Sequence, residues 1–304
     1  MADITSPEEA WEIIDDAIAR KKAIADGESA APFTTEENLR VYTCVYHLCN
    51  YKWKTSCKDQ VYEKYTHILE ERIMEKAIPK LLGKHGASLL TEVTKSWSDF
   101  KAFADSIFKF FLPLDRFCNR SFLDKVLPEL VDTPRLWFCK LVCERLYGKI
   151  QEAAMNLVIQ DREGKEIDRN ILYSVFKFFL DLGEKGTTNY YAKFEQVLLA
   201  ETSVYYSELS MEWWFWRDSY ANYLRKVDWC LVQEEARADV YPCESTKEKL
   251  LMVMKYILLE RNAKRWTQKL KADGVRAEDE ELVRKYDSLS LNGDFFASAV
   301  LGSE

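Results

Sequence analysis

The chain has 304 residues, of which 47% are hydrophobic and 13% aromatic, so it can bury a large core, and global disorder is excluded. Its net charge of −7 argues against a broad basic face for nucleic acid, and no apolar run approaches the roughly 20 residues that a membrane-spanning helix needs. The ten glycines and seven prolines are few for a strand-and-turn architecture and favour helices.

Helical patterns fill the first third of the chain. A capping box from Ser6 to Glu9, with proline at the first helical position, predicts the start of the first helix. A second capping box pairs Thr34 with Glu37 and starts a helix that ends near residue 51. A third helix is predicted from about residue 58. Two more follow, one around residues 89–100 and one around 103–117, the latter interrupted by Pro113.

The same kind of pattern continues to the end of the chain. A long helix is predicted from about residue 135 to 162, and Gly164 can take the left-handed conformation that closes it. Asp168 is the expected N-cap of the next helix, and further helices are predicted near residues 190–206, 219–241 and beyond 250. No convincing strand occurs. The recurrence of several helices in every ~120 residues predicts an all-α, elongated rod built from helical repeats.

The predicted helix at residues 35–51 has an unusually wide apolar arc. On a helical wheel the apolar positions cover about 180°, whereas a helix packed on one side typically shows somewhat over 100°. Three side chains suit the interior of the rod: Val41, Val45 and Leu48. Four remain for a second contact: Leu39, Tyr42, Tyr46 and Cys49. Either this second side packs within its own unit, or it is an exposed strip that receives a partner protein.

Candidate chemical sites are weak. His47 and Cys49 point roughly 160° apart on a helix, so they do not converge on a zinc ion. The acidic residues that follow Asp161 do not match the spacing of a calcium loop, and no phosphate-binding or nucleophile motif occurs. The aromatic cluster of residues 213–216 is interpreted as a packed corner between helices rather than a binding patch. We therefore expect no enzyme activity, no metal and no cofactor.

The cysteines and the N-terminus bear on location. The eight cysteines form no C-x-x-C pair, and most lie within apolar helical patterns. The acidic N-terminus lacks the basic and apolar parts of a secretory signal. These features predict reduced thiols in a protein of the cytoplasm and nucleus.

Four segments resemble the N-terminal arm of cullins, most closely the SCF type of plants. They are VYTCVYHLC (41–49), LYGKIQEAAMNLVIQDREGKEIDRNIL (146–172), FEQVLLAETSVYYSELS (194–210) and SYANYLRKVDWCLVQEEARADVY (219–241). The order and spacing of D-R-E-G-x-x-I-D and L-x-x-T-x-x-Y-Y-x-x-x-S are the most specific part. The resemblance covers nearly the whole chain.

This resemblance implies a scaffold of a ubiquitin ligase built from five-helix cullin repeats. Repeat 1 would span residues 1–131, repeat 2 residues 132–243, and an incomplete repeat 3 residues 244–304. Repeat 1 would bind a Skp-type adaptor that holds an F-box protein, which places the chain in ubiquitin-dependent protein degradation. The adaptor surface of the family corresponds here to Asn38, Leu39, Tyr42, Tyr46, Leu114, Arg116, Phe117 and Arg120.

Some positions depart from the family pattern. Asn38 and Leu39 stand where the family often has Tyr-Met, Pro113 interrupts the fifth helix, and a basic pair near its end is reduced to Arg120. The chain also stops before the family's C-terminal domain, which binds a RING protein and carries the lysine modified by the ubiquitin-like protein Nedd8. We therefore do not expect a RING partner. The chain would be a decoy for full-length cullins or a non-functional truncated duplicate.

An alternative function comes from another class of protein. Vesicle-tethering subunits also form helical rods, but a membrane-facing tether should carry a basic patch, and the mixed charges here offer little support for one. We accordingly expect neither a membrane nor a nucleic acid as partner.

Overall fold

The computed structural model describes residues 4–28, 31–50, 57–118, 129–183, 188–216, 219–261, 280 and 284, with the backbone alone for 116–118. Every regular element in these ranges is helical, which confirms the all-α prediction and agrees with an architecture of helical repeats. Within the same ranges no helix has the length and apolar character required to cross a membrane.

The chain divides into two compact units. Unit 1 comprises residues 1–165 and 185–187, and unit 2 comprises 166–184 and 188–304. Their division falls in the loop after residue 162. The predicted boundaries of the five-helix repeats, after residues 131 and 243, stay a prediction.

Unit 1 contains seven α-helices, in the part of it that is described, with two π-helical segments between them. Apolar side chains at helical spacing form its core, in which the tilted rings of Tyr65 and Phe111 pack with centroids 5.2 Å apart. The elements are α1 (Pro7–Ala25), α2 (Thr35–Cys49), α3 (Lys58–Arg72), π1 (Ile73–Ala77), α4 (Ile78–Leu81), α5 (Gly86–Cys118), α6 (Thr133–Phe138), π2 (Cys139–Cys143) and α7 (Glu144–Arg162).

Unit 2 has an aromatic core. Phe176 packs against Phe194 and Tyr241, with ring centroids 5.1 and 5.0 Å away. The described elements are α8 (Arg169–Gly183), α9 (Tyr190–Phe215), α10 (Tyr220–Arg237), a 3-10 turn (Ala238–Val240), α11 (Glu244–Lys255) and π3 (Tyr256–Glu260).

Local capping signals set the predicted helix ends. Ser6 accepts a hydrogen bond from the Glu9 amide at 3.2 Å, but the Glu9 carboxylate turns to the Thr5 amide, so only half of the first capping box forms. At the end of α7, Gly164 has φ +77°, and the Lys165 amide donates to the Gln160 carbonyl. The Asp168 carboxylate accepts from the Asn170 amide at 2.9 Å. The predicted closure of α7 and the predicted N-cap of α8 are thus confirmed.

One prediction about α5 is wrong. The two helices expected before residue 117 are a single helix of 33 residues that runs through Pro113. Proline has no amide N–H, so the carbonyl of Lys109 loses its helical partner. Three large side chains near it are fully buried, namely Phe110, Phe111 and Leu114. Burial of these large side chains offsets the missing hydrogen bond and keeps the helix continuous.

The aromatic cluster at the end of α9 also differs from its interpretation as a packed corner. Trp213 is buried and stacks edge-on against Tyr223 at 5.7 Å. The other three aromatic side chains are exposed, and Phe215 shows 77% of its surface. A helix has only one buried face, so four consecutive residues cannot all point into the core.

Candidate functional site

The start of α2 is held by a complete capping box. The Thr34 hydroxyl accepts from the Glu37 amide at 3.2 Å, and the Glu37 carboxylate accepts from the Thr34 amide at 2.8 Å. The second predicted capping box is therefore confirmed. Because both bonds lie within the first turn, they set the residue at which α2 begins.

Arg20 of α1 ties the segment before α2 to the rest of unit 1. Its guanidinium donates to the Ala31 carbonyl at 2.9 and 2.7 Å and to the Pro32 carbonyl at 3.0 Å. The same group pairs with the Glu37 carboxylate at 2.7 Å and lies 4.3 Å from the centroid of the Phe33 ring. The hydrogen bond from Arg20 to the Glu37 carboxylate, together with the one from the Thr34 amide, lowers the pKa of Glu37 to about 2.

One face of α2 forms part of the core of unit 1. Val45 and Leu48 are fully buried, and Val41 is nearly so. The helix packs mainly against α5 and also against α1 and α3. This is the interior face that the sequence predicted.

The opposite face carries an exposed strip. We call Asn38, Leu39, Tyr42 and Tyr46 the α2 strip. Leu39 is 51% exposed and Tyr46 is 37% exposed, while the other two side chains are half-buried. Within the described residues of unit 1, the exposure of Leu39 and Tyr46 favours an exposed strip over a helix sandwiched on both sides. Cys49 was expected on this side, but it is fully buried because it lies at the edge of the core face.

Local hydrogen bonds order the two ends of the α2 strip. The Asn38 side-chain amide donates to the Thr34 carbonyl at 2.8 Å, and the Asn50 amide donates to the Tyr46 hydroxyl oxygen at 2.8 Å. The strip therefore combines an exposed aliphatic side chain with tyrosine rings on a helix whose ends are held. Such a surface suits contact with another protein, because rigid aromatic side chains bury much area at little entropic cost.

The C-terminal part of α5 lies beside the start of α2. Phe33, which precedes the N-cap of α2, contacts Phe110 of α5 with ring centroids 5.4 Å apart. Lys21 of α1 lies over both rings, at 4.6 and 5.2 Å from their centroids. The structure thus packs the segment before α2 against α5 at Phe110, which precedes the segment 114–120 to which the resemblance assigns adaptor contact.

The structure describes only one of the side chains in and after α5 that were predicted to contact the adaptor. Leu114 is fully buried in the core of unit 1, so its side chain cannot contact a partner directly, whereas Leu112 is exposed. Arg116 and Phe117 belong to the helix, but their side chains lie outside the described part, and Arg120 lies outside it altogether. Their assignment to an adaptor surface stays a prediction.

Sequence reasoning missed Arg20 and Phe33, which position α2. Arg20 stands in a run of basic residues that gives no sign of which one turns inward. Phe33 lies in a short loop of small residues, where a single apolar side chain gives no periodic pattern. Only the packing of α1 against α2 identifies them.

The α2 strip offers contact chemistry rather than catalysis. It holds no histidine, cysteine or carboxylate that could act as a nucleophile, general base or metal ligand. Across the described ranges, no group of three or more His, Cys, Asp or Glu side chains is placed to hold a metal ion.

Comparisons with known proteins agree on one family. A family model described as the Cullin alpha solenoid domain matches residues 11–296. Cullin-1 of Oryza sativa subsp. japonica is 33% identical over 263 residues, which are 86% of this chain and 35% of that protein. Putative cullin-like protein 2 of Arabidopsis thaliana is 30% identical over 80% of this chain and 64% of its own length. Cullin-like protein 3 of the same plant is 28% identical over 82% of this chain and 94% of its own length. The chain thus spans about a third of the rice relative.

Proposed function

Since the chain belongs to the cullin family, we propose that it is a scaffold protein that binds a Skp-type adaptor, with its F-box protein, through the α2 strip. The observation that supports this proposal is the exposure of Leu39 and Tyr46 on a helix whose opposite face is fully packed. Scaffolds act by holding partners in place, so the proposal includes no catalytic residue.

Two features of the strip favour a protein partner. Its aliphatic and aromatic side chains stand together on one helix face, which is typical of the centre of a protein–protein interface. Its backbone is held by the capping box and by Arg20, so little ordering is needed on binding. The positions of the strip are also those to which the family resemblance assigns adaptor contact.

The proposed biological role is in ubiquitin-dependent protein degradation, in a ligase of the SCF type. A polypeptide of residues 1–304 that binds the adaptor but no RING protein would occupy adaptor molecules without recruiting a ubiquitin-charged enzyme. Added to a reconstituted ligase reaction, the 304-residue chain should therefore slow substrate ubiquitylation, and excess adaptor should restore the rate.

The direct test is calorimetric titration of the purified chain with a Skp-type adaptor bound to an F-box protein. Tyr42→Ala should weaken binding by about 2 kcal/mol, as expected for an aromatic side chain near the centre of an interface. Tyr173→Ala is a matched control, since Tyr173 is a tyrosine of α8 that is 45% exposed and lies in unit 2. This control should bind as the unchanged chain does.

Two results would overturn the proposal. One is the absence of binding heat at about 50 μM with a folded protein, since even a weak specific complex gives a signal there. The other is an equal loss of adaptor affinity in Tyr42→Ala and Tyr173→Ala, which would mean that the α2 strip does not contact the adaptor. The first result would favour a duplicate that has lost adaptor binding.

A further inference from the structure

A small cavity in unit 1 shares no lining residue with the α2 strip. It has a volume of about 290 Å³, is partly open to solvent, and is lined by the end of α1, by the segment from α3 to α4, and by α5. Its polar lining consists of Asp26, Arg72, Lys76, Lys80, Ser96 and Asp99. Pockets for drug-sized ligands typically have volumes of roughly 300–1,000 Å³. A ligand of this cavity would therefore be small.

The charges of the cavity are unequal. Three cationic side chains face two carboxylates, so one positive charge is in excess. The Asp26 carboxylate forms ion pairs with two of the cations, the Arg72 guanidinium at 2.6 Å and the Lys76 ammonium at 2.7 Å. Burial acts to raise the pKa of Asp26, but the hydrogen bonds from Lys76 and Arg72 outweigh it and hold the pKa below its usual value. Arg72 also lies over the Phe103 ring at 4.8 Å, which fixes one wall.

Lys80 is held more loosely than the other cations. Its ammonium group lies 3.9 Å from the Asp99 carboxylate, and the side chains are 47% and 53% exposed. Exposed pairs at this distance contribute little stability. The Lys80 ammonium can therefore turn towards a ligand without breaking a strong contact.

Ser96 provides an independent observation. Its side chain is buried and lines the cavity, and its hydroxyl has no hydrogen-bond partner among the described residues. Serine and threonine inside helices commonly donate to the carbonyl of an earlier turn, as Thr91 and Thr94 of α5 do. A buried hydroxyl that departs from this pattern is costly unless something in the cavity bonds to it.

We propose that this cavity binds a small phosphate-bearing anion, which accepts hydrogen bonds from Ser96 and from the ammonium groups of Lys76 and Lys80. Phosphate suits the site because its several oxygens can accept from donors on different walls at once. Lysine ammonium groups bind phosphate well as compact point charges. The proposal is independent of adaptor binding.

The test titrates the full chain with potassium phosphate and, separately, with glycerol 1-phosphate, at an ionic strength kept constant with potassium chloride. Calorimetry or amide chemical shifts should report saturable binding at one site. Lys80→Ala should weaken binding about tenfold, as loss of a charge-assisted hydrogen bond does. Ser96→Ala should weaken it about fivefold and leave the fold intact, because only an unpaired hydroxyl is removed.

Lys95→Ala is the matched control. Lys95 is exposed on the same helix as Ser96 but does not line the cavity, so its removal should leave affinity unchanged. Tighter binding of glycerol 1-phosphate would identify an organic phosphate as the ligand class. Equal affinity would mean that the phosphate group alone is recognised.

The proposal fails if the folded chain shows no saturation up to about 20 mM ligand, well above the concentration at which a weak specific site fills. It also fails if Lys95→Ala weakens binding as much as Lys80→Ala does. That result would mean that phosphate follows the general surface charge rather than this cavity.

Discussion

Arg20 should control the stability of the segment that carries the α2 strip. In Arg20→Ala, the carbonyls of Ala31 and Pro32 lose three hydrogen bonds, and Phe33 loses the guanidinium that lies over its ring. These carbonyls are exposed and can bond to water, so each hydrogen bond contributes about 0.5 kcal/mol. The cation–π contact adds about 0.5 kcal/mol. The loss in local stability is then about 2 kcal/mol, with nothing counted for the exposed pair with Glu37.

Hydrogen exchange measures this loss directly. A decrease of about 2 kcal/mol in the free energy of local opening should speed amide exchange in α2 about thirtyfold. Arg20→Lys keeps the positive charge but lacks the planar guanidinium group. Its amide exchange in α2 should therefore be faster than in the unchanged chain and slower than in Arg20→Ala. Arg145→Ala removes an exposed arginine of α7 and serves as the control. If Arg20→Ala speeds exchange in α2 no more than Arg145→Ala does, Arg20 does not position this helix.

Three other outcomes are expected. The pKa of Glu37 is about 2 rather than the usual 4.5, so its stabilising effect is present above about pH 4.5 and is lost as the pH falls towards 2. Glu37→Gln should therefore flatten the dependence of unfolding free energy on pH in this window, as urea titrations at several pH values would reveal. Leu114→Ala should lower the stability of unit 1 by about 2–4 kcal/mol because it leaves a cavity, whereas Leu39→Ala should change it by less than about 0.5 kcal/mol. Similar small losses for both would contradict the burial of Leu114. In unit 2, the Tyr206 hydroxyl donates to the buried Glu234 carboxylate at 2.9 Å, and Tyr206→Phe should cost about 1–2 kcal/mol in chemical denaturation. An unchanged midpoint would show that this hydrogen bond adds nothing.

Several features of the protein could be predicted from the sequence because they depend on neighbouring residues. Two examples are the capping box of Thr34 and Glu37 and the turn from Gly164 to Asp168. Their hydrogen bonds join residues that are less than two helical turns apart. The all-α class follows from apolar periodicity and from the small number of turn residues. The wide apolar arc of α2 was likewise visible, since it depends only on the angle between successive residues.

Other features were decided by tertiary structure. The arc of α2 does not itself say which part is covered, and only the packing of α2 against α5, α1 and α3 decides that Cys49 is buried and Leu39 exposed. Pro113 looked like an interruption because local propensity opposes it, but the burial of its neighbours holds α5 together. Arg20 and Phe33 acquired their roles from contacts between segments that are distant in sequence. Local patterns thus determined where helices form, whereas contacts between helices decided which residues remain available to a partner.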